Sequence, residues 1–74
     1  MVAAELDLFW QHKGKNWGVE FKYEDAPRLT RSMQIAITDL QLSKLWVVYP
    51  GKKEYLLEKN ISVLPLEMIE SKLK

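Results

Sequence analysis

Two runs of alternating residues, separated by five turn-forming residues, constrain the fold of this chain more than any other feature. Residues 5–11 and 17–23 each alternate between apolar and mostly polar side chains, a period typical of strands with one buried face. The segment between them is His-Lys-Gly-Lys-Asn, in which Gly14 and Asn16 readily adopt positive φ. The two runs therefore predict an antiparallel β-hairpin. Its apolar face comprises Leu6, Leu8, Trp10, Val19, Phe21 and Tyr23.

Burial of the apolar side chains of both strands on one face restricts the register of this hairpin. A slip of one residue would expose the apolar side chains of one strand to water. Two registers satisfy the requirement, with Leu8 opposite either Val19 or Phe21. Asp7 faces Glu20 in the first register and Lys22 in the second. Both registers gather the same charged side chains on the other face: Asp7, Glu20 and Lys22.

The remaining chain predicts a small α/β (α+β) fold. A helix is expected over about residues 28–40, after Pro27 and with Asp25 or Thr30 as its N-cap. The nearly continuous apolar run at residues 44–49 predicts a buried strand, which should lie parallel to the strand at 17–23 after a right-handed crossover. Short strands are expected at 55–57 and 61–64, followed by a helical turn from Pro65.

The gathered charges are compatible with metal-dependent phosphodiester chemistry. Two neighbouring carboxylates, Asp7 and Glu20, can hold a hard cation such as Mg²⁺ or Mn²⁺, and a nearby Lys22 ammonium can orient a water. The plainer interpretation is a solvent-facing strand surface with a diagonal salt bridge, contributing under about 1 kcal/mol. In an arbitrary small domain, the plainer interpretation is favoured.

Composition excludes several classes of function. A chain of 74 residues makes at most one domain, and without cysteine it has neither disulfides nor a cysteine zinc site. The single His12 excludes a multi-histidine metal centre. No stretch reaches the roughly 18–20 apolar residues of a membrane span, and no secretion signal or G-x-x-x-x-G-K-[ST] nucleotide motif occurs. A cytoplasmic location is therefore expected.

Basic and aromatic side chains offer a weaker indication of nucleic-acid binding. Lys13, Lys15, Arg28 and Arg31 lie in or beside predicted loops and are candidates for contacts with DNA phosphates. Ordinary solubilising surface charge explains them equally well, since the net charge is only +1. Three tryptophans are possible stacking platforms; Trp10 and Trp46 are expected in the core, and the position of Trp17 is left open.

Four blocks of sequence together resemble a known superfamily. They are E-L-D-L-F-W, G-V-E-F-K, A-P-R-L-T-R-S-M and L-W-V-V-Y-P-G with V-L-P-L, covering about residues 4–70. The pattern is similar to PD-(D/E)XK, or restriction-endonuclease-like, nucleases, and particularly to the C-terminal domain of a prokaryotic AAA-type ATPase family. The resemblance implies that Asp7 and Glu20 are metal ligands, that Lys22 is the water-orienting base, and that Glu5 is a neighbour of undefined role.

The chain also departs from that superfamily pattern. A helix and a strand that precede the aspartate strand in the superfamily are absent here, so a truncated nuclease-like domain is expected. Two functions remain open: a Mg²⁺- or Mn²⁺-dependent DNA nuclease, and a non-catalytic module that binds DNA, an AAA-type ATPase partner or a second copy. An exposed sheet edge and an uncovered apolar face would favour self-association.

Overall fold

The computed structural model describes residues 6–73, in which five strands form one mixed sheet. The elements are, in chain order, β1 (Leu8–His12), β2 (Lys15–Phe21), α1 (Arg31–Asp39), β3 (Leu42–Tyr49), β4 (Tyr55–Glu58), β5 (Ile61–Pro65), a 3-10 turn (Leu66–Met68) and α2 (Ile69–Leu73). The order across the sheet is β1-β2-β3-β5-β4. The predicted α/β class is confirmed.

Parallel pairing occupies the centre of the sheet and antiparallel pairing its two margins. β2 and β5 both run parallel to β3, whereas β1 is antiparallel to β2 and β4 is antiparallel to β5. This is the predicted hairpin, crossover helix and parallel return strand. The expected short strands and terminal helical turn are also present.

The hairpin turn is shorter than predicted. Only Lys13 and Gly14 separate the paired residues His12 and Lys15, and they have φ values of 53° and 76°. A two-residue hairpin turn with both central residues at positive φ matches the right-handed twist of its strands. Asn16 lies in β2 with ordinary negative φ, so the predicted role of Asn16 as a turn residue was wrong.

Helix α1 begins later than the predicted residue 28. Thr30 is its N-cap, and the Thr30 hydroxyl accepts a hydrogen bond from the Met33 amide at 3.2 Å; the alternative cap Asp25 is not used. After the C-cap Leu40, Gln41 has a φ of 49° in the left-handed region, as expected for a residue standing where glycine is preferred. Among residues 6–73, no helix has the length and apolar character needed to cross a membrane.

Both faces of the sheet are apolar, and each has its own cover. The face we call the helix face packs against Met33 and Ala36 of α1 and includes buried Leu45, Val47, Ile61 and Val63. The opposite face, which we call the tryptophan face, centres on Val19, Val48 and Leu64 and is packed by Trp10, Trp46, Met68 and Ile69. The hairpin therefore contributes to two cores, and not to one as its alternation suggested.

The loop of residues 50–54 is held by hydrogen bonds to the hydroxyl group of Tyr49. The Tyr49 hydroxyl donates to the Lys53 carbonyl oxygen at 2.7 Å and accepts from the Lys53 amide at 2.9 Å. A Cβ added at Gly51 would lie 2.1 Å from the Tyr49 ring, so this close approach requires glycine. The Tyr49 ring also meets Tyr55 edge-on, with centroids 6.3 Å apart.

Candidate functional site

The β1–β2 register is one of the two predicted registers, with Leu8 opposite Val19. Asp7 lies just before β1, and its amide donates to the Val19 carbonyl oxygen at 3.0 Å. Because Val19 is already the partner of Leu8, the chain is one residue out of step at Asp7. This irregularity places Leu6 on the helix face, where it packs against the core that includes Met33 and Ala36 of α1. A Cβ added at Gly18 would lie 2.9 Å from the Leu6 side chain.

The out-of-step residue corrects part of the predicted apolar face. Leu6 does not share a face with Trp10, which packs on the tryptophan face. Tyr23 was also assigned wrongly, because β2 ends at Phe21 and Tyr23 is 87% exposed. The predicted strand bounds of 5–11 and 17–23 therefore become Leu8–His12 and Lys15–Phe21. Glu5 lies outside the described residues.

The Asp7 carboxylate is hydrogen-bonded to β2 at Phe21, the residue between the other two candidates, Glu20 and Lys22. Its Oδ2 accepts a hydrogen bond of 2.7 Å from the amide of Phe21, whose chain neighbours are Glu20 and Lys22. The carboxylate thus takes the position of a strand carbonyl and closes the ladder between β1 and β2. Asp7 itself is exposed, so solvent can reach this carboxylate.

Glu20 is buried, which the sequence did not indicate. Only 6% of its surface is exposed, and its Oε2 atom is shielded from solvent. Glu20 pairs with Val47, a residue of the helix face, so the glutamate lies on the same side of the sheet as α1. The solvent-facing interpretation of this side of β2 is therefore wrong, because Glu20 is buried on the helix face.

Lys22 directly follows β2, and its amide donates to the Val48 carbonyl oxygen at 2.8 Å. Its side chain borders a cavity of about 120 Å³ at the carboxyl ends of β2 and β3. This end of parallel strands is where ligands commonly bind in open α/β sheets. The sequence analysis missed the cavity, although two parallel strands ending together would have indicated it. Its other lining residues are Phe21, Tyr23, Val48, Tyr49, Pro50 and Leu66.

The four basic candidates do not form one cluster with the carboxylates. Lys13 and Lys15 lie at the β1–β2 turn, and about seven strand residues, or roughly 23 Å, separate Lys15 from Lys22. Arg28 lies in the connection that leaves the carboxyl end of β2, and Arg31 is the first residue of α1. All four side chains are exposed. Any DNA contacts by the lysines would therefore be remote from Asp7.

A cation held by Asp7 and Glu20 alone would retain much of its water shell. Within residues 6–73, no group of three His, Cys, Asp or Glu side chains is close enough to hold a metal ion. Mg²⁺ is commonly held by one or two carboxylates, with water as its other ligands. Asp7 and Glu20 fit that requirement in number and in ligand type, with Asp7 as the exposed member of the pair.

Comparison with known proteins gives a family. Residues 2–69 match the family described as Domain of unknown function (DUF4143). The uncharacterized protein Rv2008c of Mycobacterium tuberculosis and the uncharacterized protein Mb2031c of Mycobacterium bovis are each 39% identical to this chain over 66 residues. The match covers 89% of this chain but 15% of each relative, and no solved structure matches. The chain belongs to the DUF4143 family.

Proposed function

We propose that this chain is a nuclease-like domain that hydrolyses DNA phosphodiesters with a divalent cation at Asp7 and Glu20. The observation that carries the proposal is the 2.7 Å hydrogen bond from the Phe21 amide to the Asp7 carboxylate. This bond fixes one carboxylate beside the strand segment that carries Glu20 and Lys22. The resemblance to PD-(D/E)XK nucleases, with its hairpin, crossover helix and parallel strand, supports the same roles.

Each of the three residues has a distinct chemical role in this proposal. Asp7 and Glu20 would hold Mg²⁺ or Mn²⁺, which when bound polarises a phosphate and makes its water more acidic. Burial of Glu20 lowers the local dielectric, which strengthens its attraction for a cation. Lys22 would orient the attacking water and offset negative charge that develops on the phosphate.

The test uses substitutions that preserve shape while changing charge. Asp7→Asn retains an oxygen that can accept from the Phe21 amide, Glu20→Gln retains the buried volume, and Lys22→Met retains the apolar stem. Asp39→Asn, at the end of α1 beside the start of β2, removes an exposed carboxylate that is not one of the three candidate residues, and it serves as the matched control. Mn²⁺ binding is measured by calorimetry, and nicking of supercoiled DNA by gel electrophoresis.

The proposal predicts Mn²⁺ binding that is lost in Asp7→Asn and Glu20→Gln but kept in Asp39→Asn. It also predicts cation-dependent nicking that falls at least about 100-fold in Lys22→Met, as for loss of a group stabilising the transition state. Folding of each variant is checked by circular dichroism. Wild-type protein that binds no Mn²⁺, or nicking that persists in all three variants, would disprove the proposal.

A second candidate function is favoured by the edge strand β1. Leu8 and Phe9 are 50% and 47% exposed, and β1 is the outermost strand on its side of the described sheet. Exposed apolar edge strands tend to pair with another chain, so β1 would be a docking strand for a second copy or for an AAA-type ATPase module. The relatives are much longer than this chain, which leaves room for such a module within one polypeptide.

The docking function is tested by the oligomeric state. We expect a dimer by light scattering at about 100 µM, a concentration at which weak interfaces are populated. Phe9→Glu should convert this dimer to a monomer, whereas Leu56→Glu on the opposite edge strand should not, although Leu56 is 66% exposed. A wild-type monomer that also fails to bind an ATPase module would contradict the docking function.

A further inference from the structure

All three tryptophans of the chain lie on the tryptophan face. Trp10 and Trp46 pack against the cluster of Val19, Val48 and Leu64, and Trp17 is paired with Trp10 across β1 and β2. Alternation along β2 places Trp17 on the same face as Val19. Each of the three side chains is only partly buried. Three adjacent strands therefore each place one indole ring on this face.

Two lysines, Lys44 and Lys15, lie on the same face as these rings. Lys44 is the partner of Trp17 on β3, and its Nζ lies 4.7 Å from the centroid of the Trp46 ring. This distance is within the range of a cation–π interaction. His12 and Lys15 are paired next to the hairpin turn, and alternation along β1 and β2 places both on the same face. Both residues are exposed.

The strand residues of this face carry no carboxylate. Glu20 of β2 points to the helix face with its partner Val47. Glu58 of β4 accepts a hydrogen bond from Gln34 of α1 and also belongs to that side. No Asp or Glu occurs in β1, β3 or β5. Lys15 and Lys44 thus lie among the aromatic rings with no carboxylate on the strands of this face, and Glu67 and Glu70 lie on the 3-10 turn and α2 that pack against it.

We propose that the tryptophan face binds single-stranded nucleic acid, with bases stacked on Trp17 and Trp46 and phosphates beside Lys15 and Lys44. Aromatic side chains on a basic surface are the combination by which proteins bind single strands. Single strands are favoured over duplex because the faces of paired bases are already stacked on one another. The site lies on the opposite side of the sheet from Glu20 and does not depend on the function proposed above.

Intrinsic fluorescence measures this binding directly, because every tryptophan of the chain is on the face. The probes are 15-residue oligothymidylate and oligouridylate, titrated in EDTA so that cation-dependent chemistry is absent. We expect saturable quenching with Kd on the order of 1–100 µM, the range of non-specific binding. A tighter complex with one of the two probes shows a preference for its combination of sugar and base, and equal affinities indicate that neither the 2′-hydroxyl nor the thymine methyl group is recognised.

Substitutions distinguish phosphate contact from stacking. Contacts with Lys15 and Lys44 should each contribute about −0.7 to the slope of log K against log salt, so Lys15→Gln and Lys44→Gln should each reduce the slope by that amount. Lys52→Gln, on an exposed loop outside the face, should change nothing. Trp17→Ala should weaken binding at least about 5-fold, and Trp17→Phe, which keeps an aromatic ring, should weaken it less.

Several results would overturn the proposal. They are the absence of saturable quenching, equal binding of a 15-base-pair duplex, and unchanged affinity in both lysine variants. An abasic oligonucleotide that binds as tightly as oligothymidylate would show that stacking plays no part. Because the titrations are carried out in EDTA, failure of the metal-site proposal leaves this outcome unaffected.

Discussion

The side-chain amide of Asn16 donates a hydrogen bond to the main-chain oxygen of Leu40 at 2.9 Å, across 24 residues of sequence. The same amide lies 3.3 Å from the Gln41 oxygen. The last carbonyl groups of a helix have no partner within it, and here a strand residue supplies one. The first residues of β2 therefore fix the position at which α1 ends and β3 begins.

Removal of this link should destabilise the protein. Asn16→Ala leaves the Leu40 oxygen without its partner, and we expect the free energy of unfolding to fall by about 1–2 kcal/mol. Urea denaturation measures the loss. Gln11→Ala is the control, because the Gln11 amide donates to the Asn16 side-chain oxygen at an exposed position and should cost under about 0.5 kcal/mol. Equal losses in both variants would contradict the capping role of Asn16.

Substitution of Gln41 by glycine should stabilise the protein, in contrast to the loss expected for Asn16→Ala. The Gln41 φ of 49° lies in the left-handed region, which glycine adopts without steric cost and other residues do not. Gln41→Gly should therefore stabilise the protein by about 0.5–1 kcal/mol, measured as a higher thermal unfolding midpoint. Gln41→Ala, which keeps the Cβ, should give no such gain. A lower midpoint for the glycine variant would show that the Gln41 side chain contributes more than its backbone strain costs.

Gly51 should not accept any side chain. A Cβ there would lie 2.1 Å from the Tyr49 ring, and moving the ring would disturb its two hydrogen bonds to Lys53. Gly51→Ala should destabilise the protein by about 1–3 kcal/mol, as overpacking does. Pairing this change with Tyr49→Leu should remove most of the penalty, because the clash and the ring disappear together. Denaturation of the two single variants and the double variant tests this coupling.

Deprotonation of Tyr55 at alkaline pH should lower the stability of the folded protein. Burial raises the pKa of the Tyr55 phenol above the ordinary value of 10.0, and Tyr49 and Glu24 raise this pKa further. Because the folded protein holds this proton more tightly than the unfolded chain, the stabilisation is present below pH 10 and is lost as pH rises through the folded pKa. Tyr55→Phe removes this contribution, together with the 2.7 Å hydrogen bond to the Pro27 oxygen.

The variant should therefore be less stable than wild type at neutral pH, and the difference should shrink above pH 10. Unfolding in urea at a series of pH values measures it. Tyr23→Phe, at a position 87% exposed, controls for general effects of tyrosine ionisation. A wild-type curve parallel to that of Tyr55→Phe above pH 10 would rule out the proposed linkage.

Local patterns predicted much of the fold, and long-range contacts explain the errors. Since burial of Val19 and Trp10 is a requirement on neighbouring strands, alternation predicted the hairpin and restricted it to two registers, one of which the structure has. Alternation predicted the wrong face for Leu6, because the irregularity at Asp7 involves hydrogen bonds to Phe21 and Val19 that an alternating pattern does not reveal. The helix start was wrong because Thr30 is the N-cap, although Asp25 also has cap chemistry.

The candidate site was predictable in composition and less so in environment. The Asp7 carboxylate accepts a hydrogen bond from the amide of Phe21, the residue that follows Glu20, whereas a shared role of Asp7 and Glu20 stays a prediction. Glu20 lies on the face of the sheet that α1 packs against, and a crossover helix was itself predicted. Alternation alone does not reveal the burial of Glu20, because a period of two also describes a strand with one solvent-facing side. A charged residue on a strand next to a crossover helix is better interpreted as a candidate for burial.

The central position of β3 has a consequence for the folding reaction. β1 with β2 and β4 with β5 are hairpins closed by short turns, so each can form early from local contacts. Neither hairpin pairs with the other, and each pairs directly with β3. The two halves can therefore become cooperative only when β3 inserts between them. Substitutions at buried Val47 should slow folding of the whole sheet, whereas changes in either turn should mainly affect the hairpin that contains it.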